Sequence, residues 1–367
     1  MRWQSSSGKG AMSKYGTTIA QALGHDGFKP DPQRVGIFKR IVWDRCVAML
    51  EGKSEADPIN VFVKPEPHKQ GKIDDGRWRL IMGVSMEDTM IDRMLYQGFY
   101  ENAIGNYFKT PCKVGYSPIF RGYKYIWNLF KGEKKMTSDK KAWDMTVKEW
   151  MIRMWRDFFE DLLGEPPSFW KTIHRCRFEH LFGADCRFEF PDGSYARQGF
   201  VGIQKSGSYL TLLTNSVGQR ILQVAICLQK RWPVWRMACI GDDALEQVPP
   251  DPEEYVSAIK DLGAEVKEYH IIDYVDFCGF VFDSESCRPA YVAKHLYKLY
   301  WEYDEETFPQ VIEMYSMLYC HDEEMFEIIK RFSESTLGVS PMPRKLQMAL
   351  FDGNLTAEVT SDFRRAT

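Results

Sequence analysis

The chain has no apolar run approaching ~20 residues, so no membrane-spanning helix is predicted. No secretory signal is read at its start. Its nine cysteines include no C-x-x-C pair, which leaves free thiols in a reducing compartment as the natural reading. There is no internal repeat and no low-complexity tract. There is no excess of positive charge either: 48 Lys and Arg stand against 51 Asp and Glu, a formal net charge of −3. The chain is not a polycation, so any contact with nucleic acid must come from a local basic surface. Histidine is scarce, at seven residues. His174, Cys176, His180 and Cys186 lie close together, but their spacing fits no common zinc pattern, and ordinary packing is favoured over a zinc site.

What is present is apolar substance. The 367 residues are 44% hydrophobic and 14% aromatic, enough for a sizeable core or for subdomains sharing one cleft. The first ~30 residues, rich in Ser, Gly and Lys, read as a loop-rich lead-in. Val35–Leu50 and Met86–Tyr100 have helical periodicity. Val61–Val63 and Arg79–Val84 read as strands. After Asp144, Thr146 and Glu149 form a capping-box pattern. Apolar residues follow at Val147, Trp150, Met151, Met154, Trp155, Phe158, Phe159 and Leu162, a helical core stripe ended by Gly164 and Pro166-Pro167.

Arg187–Phe200 reads as a hairpin turning at Pro191-Asp192-Gly193. A helix is predicted from about Ser208 to Lys230. Val234–Ile240 and Ala244–Val248 read as strands joined by Gly241-Asp242-Asp243. Pro252–Leu262 is helical again, Ile271–Phe282 contains strands, and the chain from about Ala290 is mostly helical. This order predicts an antiparallel sheet with helices on one face, an α+β fold.

Three groups of residues carry chemistry. Asp139 closes a predicted strand (Lys134–Ser138), and Asp242 and Asp243 occupy a tight turn between two others. If the strands are neighbours, these carboxylates converge, and divalent cations relieve their repulsion. Second, Ser206-Gly207-x-x-x-Thr211-x-x-x-Asn215 places Thr211 and Asn215 on one helical face. An amide buried in so apolar a helix needs a partner, and Asp144 with a ribose hydroxyl would serve. Third, Lys64, His68, Lys69, Lys72, Arg77 and Arg79 form a basic run. Asp74-Asp75-Gly76 can turn it back on itself, and Arg77 and Arg79 alternate to one side, suited to phosphate.

On these residues the chain resembles the RNA-dependent RNA polymerases of positive-strand RNA viruses, in the sobemovirus, polerovirus and barnavirus lineage. Asp139-x-x-x-x-Asp144 resembles motif A, Ser206 to Asn215 motif B, and Gly241-Asp242-Asp243 motif C. Lys64-Pro-Glu-Pro-His-Lys through Arg77-Trp-Arg79-Leu-Ile resembles motif F. Leu262-Gly263-x-x-x-Lys267 resembles motif D, and Phe277-Cys278-Gly279 motif E. Ser5-Ser6-Ser7-Gly8 with Gly16-Thr17 resembles motif G, with Lys9 standing where a proline is usual.

The resemblance implies a right-hand architecture with an RRM-like antiparallel palm sheet and a mostly helical thumb. Its expected partition is fingers at 1–131, palm at 132–150 and 201–289, a fingers insertion and hairpin at 151–200, and thumb at 290–367. It implies two Mg²⁺ or Mn²⁺ ions on Asp139, Asp242 and Asp243. Asp144, Ser206, Thr211 and Asn215 would sense the ribose. Lys64, Lys72, Arg77 and Arg79 would hold the triphosphate, and Lys267 would protonate pyrophosphate. Ser6, Ser7, Lys69, Gly207, Phe277 and Cys278 would contact RNA. The implied partners are template and nascent RNA, ribonucleoside triphosphates and other viral replication proteins, in a replication complex of the host cytoplasm. Such relatives are often made as polyproteins, so the chain is expected to be one segment of a longer product. Two rival readings stay open at this level: a reverse transcriptase, which usually has a bulky residue where Asp144 stands, and a non-catalytic RRM-like RNA-binding protein.

Overall fold

The structure is a computed structural model that describes residues 3–68, 70–301 and 306–354. Its strands are β1 (Ile59–Val63), β2 (Leu80–Gly83), β3 (Lys135–Lys140), β4 (Arg187–Glu189), β5 (Tyr195–Arg197), β6 (Met237–Ile240), β7 (Asp243–Gln247), β8 (Val266–Ile272), β9 (Val275–Phe277), β10 (Phe280–Phe282) and β11 (Cys287–Pro289). They form three sheets, ordered β6-β7-β3-β8, β2-β1-β4-β5 and β11-β10-β9. The first is antiparallel throughout, with β3 between β7 and β8.

That sheet separates two cores. On one side, Met136 packs with helix Thr211–Lys230 through Leu222 and Ile226, and with helix Pro252–Asp261 through Tyr255 and Ile259. On the other side, Ala238 and Leu245 meet Tyr123, Ile126 and Phe130 of helix Gly122–Leu129 and the β9–β10 hairpin. The alternation of strand residues sends Leu245 one way and Glu246 the other. Glu246 is a buried carboxylate, satisfied by Trp235 Nε1 (3.0 Å), Gln223 Nε2 (2.8 Å) and the Tyr255 hydroxyl (2.9 Å). The sheet is thus covered on both faces, not on one as the element order predicts; helix Gly122–Leu129, which covers the second face, has no side-chain cap and begins at left-handed Arg121 (φ 69°), so no cap signal marks it in the sequence.

The helix after Asp144 runs from Glu149 to Leu163, capped by Lys148 without a side-chain bond. The capping box does not form. Thr146 instead ends a short helix, Trp143–Thr146, and its hydroxyl donates back to the Trp143 carbonyl (3.1 Å). Met151, Trp155 and Phe159 are core, whereas Met154 and Leu162 are exposed. The lead-in is less loop-like than its composition predicts. It contains a 3-10 helix (Ala11–Tyr15) and a helix (Ile19–Leu23) with a complete Thr18/Gln21 capping box.

Helix Ser168–Phe182 carries two polar residues into the interior. His174 bonds the Tyr96 hydroxyl (2.8 Å) and the Arg156 carbonyl (3.0 Å). Arg177 is fully buried. It donates to Asp92 through Nε (2.7 Å) and Nη2 (3.1 Å), and its Nη1 lies 2.9 Å from Asp88, a charge contact without hydrogen-bond alignment. Asp88 also accepts from Arg45 (2.7 Å), which pairs with Asp57. This network joins helices Pro32–Leu50, Met86–Asn106 and Ser168–Phe182. Cys176 and His180 meet each other and Ser54 at 3.2–3.4 Å. Removing the central cation would strand buried carboxylates. Arg177→Ala is expected to lower unfolding free energy by about 3–5 kcal/mol, read by urea denaturation. A loss under ~1 kcal/mol would show that the carboxylates find other partners.

Candidate active site

The acids come together through sheet register. β3 pairs with β7 at Thr137↔Leu245, and the same register carried two residues further brings Asp139 beside Asp243. β6 pairs with β7 at Ile240↔Asp243, so Gly241 and Asp242 are a two-residue hairpin loop. Gly241 alone of the two has positive φ (63°), the pattern of a type II′ turn. Its N–H donates to the Ser216 hydroxyl (2.8 Å), which pins the turn to helix Thr211–Lys230. Asp139, Asp242 and Asp243 line one cleft of about 430 Å³, with Glu268, Asp276 and Tyr291.

The surroundings treat the acids differently. Asp139 and Asp242 are exposed. Asp243 is half-buried and accepts the Cys278 N–H (2.6 Å). Burial pushes its pKa up to about 6, with the Asp242 charge adding to the effect and the Cys278 N–H opposing it. Lys267, on β8, lies 3.3 Å from Asp139 and 2.8 Å from Glu268. Hydrogen bonds to Glu268 and then Asp139 push its pKa up and keep it protonated. Lys140 is buried behind the acids and donates to Ser138 (3.2 Å). Burial lowers its pKa, while Glu246, Asp242 and Asp243 act to raise it. The donors facing the cleft are hard carboxylate oxygens, the type that Mg²⁺ or Mn²⁺ takes, but among the described residues no three Asp, Glu, His or Cys side chains stand close enough together to hold one ion as placed.

A larger cleft of about 1020 Å³ adjoins this one, lined by Lys64, Trp78, Arg79, Asp144, Ser206, Gly207 and Ser6 among others. Here the Asn215 amide is oriented by chemistry. Trp143 Nε1 can only donate, and it donates to Asn215 Oδ1 (3.1 Å). Asn215 Nδ2 therefore faces Asp144 and donates to Oδ1 (3.0 Å). Burial pushes the Asp144 pKa up, and the Asn215 bond opposes it. Ser206 Oγ accepts from Met82 N–H (3.1 Å), and Gly207 N–H donates to the Met82 carbonyl (3.0 Å). A Cβ at Gly207 would meet that carbonyl at 2.7 Å, so only glycine fits. Lys205, fully buried, braces this loop by donating to Gln198 Oε1 and the Ile203 carbonyl (3.0 Å).

Several residues are placed otherwise than their types predict. Thr211 donates to the backbone carbonyls of Lys205 (2.7 Å) and Ser208 (3.0 Å), so its hydroxyl is spent on the loop. Neither Arg77 nor Arg79 lies in a strand: both precede β2, which begins at Leu80, and Arg77 pairs with Asp75, two residues away. Lys72 is exposed on a short helix, Gln70–Asp74, which interrupts the expected simple turn. Ser7 is buried, and its hydroxyl donates to the Gly16 carbonyl (2.8 Å), while Ser6 is exposed. Phe277 is core, and Cys278 contributes its backbone to Asp243. Lys69 lies outside the described residues. Sequence reasoning missed Trp143, Ser216, Lys140 and Glu66. Trp143, immediately before Asp144, was the most findable, since a buried indole N–H must have an acceptor.

Residues 30–334 match the family described as viral RNA-dependent RNA polymerase. The chain belongs to that family. Among its relatives, Protein P1-P2 of potato leafroll virus is 30% identical over 321 residues, covering 79% of this chain and 29% of that protein. Protein P2-P3 of Poinsettia latent virus is 29% identical over 311 residues, covering 77% of this chain and 27% of that protein. The replicase polyprotein P2AB of cocksfoot mottle virus is 30% identical over 219 residues, covering 58% and 22%. The chain thus spans under a third of the length of these relatives. The fold is similar to that of the Sicinivirus 3Dpol RNA-dependent RNA polymerase, with TM-score 0.71 and 17% identity, covering 95% of this chain and 76% of that one. The architecture is the right-hand polymerase fold. The family uses divalent metal ions. Among the described residues no helix is long and apolar enough to cross a membrane.

The Trp143 donor has a measurable consequence. Trp143→Phe keeps the ring but leaves the Asn215 carbonyl unpaired in the core. It is expected to cost about 1–3 kcal/mol in denaturant unfolding. An unchanged midpoint would mean that the amide has turned over or found another donor.

Proposed function

We propose that this chain synthesises RNA on an RNA template from ribonucleoside triphosphates, by nucleotidyl transfer with two Mg²⁺ or Mn²⁺ ions. The observation that carries this reading is the common cleft formed by Asp139 of β3 and the Asp242-Asp243 turn. Asp139, Asp242 and Asp243 would hold the ions. When bound, the ions activate the attacking 3′-hydroxyl and offset charge on the leaving pyrophosphate. The chain's own part is positioning and charge. Asp144 and the Asn215 amide, with Ser206 beside them, present donor and acceptor to the ribose hydroxyls. Lys64 and Arg79, which line the larger cleft, hold the triphosphate; Lys72 and Arg77, which do not line it, are left out of that role. Lys267, protonated beside Asp139, is the proton donor to pyrophosphate. Ser6 and Gly207 border the template path.

The sheets support a partition close to the one the sequence suggests. β1–β2 and β4–β5 share a sheet, so 1–131 and 151–200 combine as fingers. The acid-bearing sheet draws on 132–150 and 201–289 as palm, and 290–367 is the thumb. Helix Gly122–Leu129 packs under the acid sheet, which supports counting it with the palm although it lies within 1–131. Partners other than RNA and nucleotides would be further viral replication proteins, in a replication complex of the host cytoplasm.

A primer-extension assay with Mg²⁺ or Mn²⁺ at several salt concentrations tests the reading. Asp242→Ala is expected to slow elongation on the order of a thousandfold. Near-native elongation by this variant would remove Asp242 from the metal site. Asn215→Ala is expected to lower UTP-over-dTTP preference on the order of tenfold or more, because the hydroxyl loses its partner. An unchanged ratio would remove the amide from sugar recognition.

A further inference from the structure

Glu66 stands between Pro65 and Pro67 in the loop after β1. Its carboxylate receives three cations from three segments. Arg79 Nη1 lies 2.8 Å from Oε1, and Lys64 Nζ lies 3.1 Å from Oε2. Lys294 Nζ, from helix Val292–Trp301, lies 3.3 Å from Oε2. The acid is covered, with 9% of its side chain exposed, whereas the three cations remain 38–58% exposed. Those hydrogen bonds and charges outweigh the opposing effect of burial and hold the Glu66 pKa down to about 2.

Three positive charges on one carboxylate leave an uncompensated excess. Two of the three, Lys64 and Arg79, line the cleft that also contains Asp144 and Ser206. The third comes from the C-terminal helical unit. One turn before it, Tyr291 lines the acid cleft. A phosphate group offers the same oxygen acceptors as a carboxylate with more charge and more lone pairs, so it outcompetes a carboxylate for guanidinium and ammonium groups.

We propose that Lys294 is a third cation of the triphosphate cradle, supplied by the thumb, and that Glu66 keeps the phosphate's place there until a nucleotide displaces it. This rests on Lys64 and Arg79 being triphosphate ligands. It makes Glu66 an internal competitor, so removing its charge strengthens nucleotide binding while removing Lys294 weakens it.

Steady-state extension with ATP on a poly(U) template, using the full chain, separates the possibilities. Glu66→Gln is expected to lower the KM for ATP several-fold. Lys294→Gln is expected to raise it about tenfold with little change in kcat, and Lys294→Arg to restore most of the loss. A raised KM in Glu66→Gln would make Glu66 an organiser of the cations and overturn its place-holding role. Unchanged KM in Lys294→Gln, with a lowered unfolding midpoint, would make the bridge a fingers–thumb strut and overturn the cradle role. Arg79→Ala is the separate control. An unchanged KM there would sink the underlying triphosphate assignment itself, whatever the other two variants do.

Discussion

Carboxylates that repel one another have to be held together by something stiffer than their repulsion, and here it is a sheet register. β3 lies between β7 and β8, so its end is fixed on both sides. The Asp242 turn is fixed from below by the Ser216 hydroxyl, and Asp243 from the side by the Cys278 N–H. Lys267 places positive charge beside the cluster, and the buried Lys140 amine stands behind it. The register therefore fixes the backbone that carries the acids, and their charge is only partly offset by the protein. On the reading proposed for this cleft, the unspent attraction is what would draw a cation in and close the acids around it.

The same logic recurs in the fingers. Arg177 and Arg45 hold three aspartates in the space between three helices. Such a network gives little net stability compared with apolar packing, but it makes the relative placement of the helices specific, since a shifted helix would leave a charge unpaired. That placement matters to the site. Met86–Asn106 begins directly after β2, whose backbone carries Ser206 and Gly207 through Met82. The Tyr100 hydroxyl of the same helix donates to the Tyr209 carbonyl (2.6 Å), at the approach to helix Thr211–Lys230.

The site was more legible in the sequence than the fold around it. Short motifs with fixed chemistry announce themselves: the Gly-Asp-Asp hairpin, the glycine after Ser206, the amide four residues from Thr211. Periodicity located the long helices where their buried face is apolar. It failed at Ser168–Phe182, because buried His174 and Arg177 interrupt the apolar rhythm that identifies a helix. It overreached at Met154 and Leu162, which continue the rhythm but point to solvent. Thr146 and Glu149 have cap spacing, yet Val147 and Lys148 adopt extended backbone between two helices, which no spacing rule reveals. Arg77 and Thr211 carry the right functional groups, but nearer partners take them. Pairing of that kind depends on tertiary geometry, and residue type alone is silent about it.

The Trp143–Asn215–Asp144 chain also bears on inhibition, on the reading proposed for this cleft. The amide has no rotational slack, because the indole holds its oxygen and the carboxylate holds its nitrogen. A nucleoside analogue modified at the 2′ position would be read by groups that simultaneously support the protein interior. Escape by substitution at any of the three would disturb core and sugar recognition together. Resistance would have to arise among neighbours with no such double duty, such as the exposed Met145 on the cleft wall.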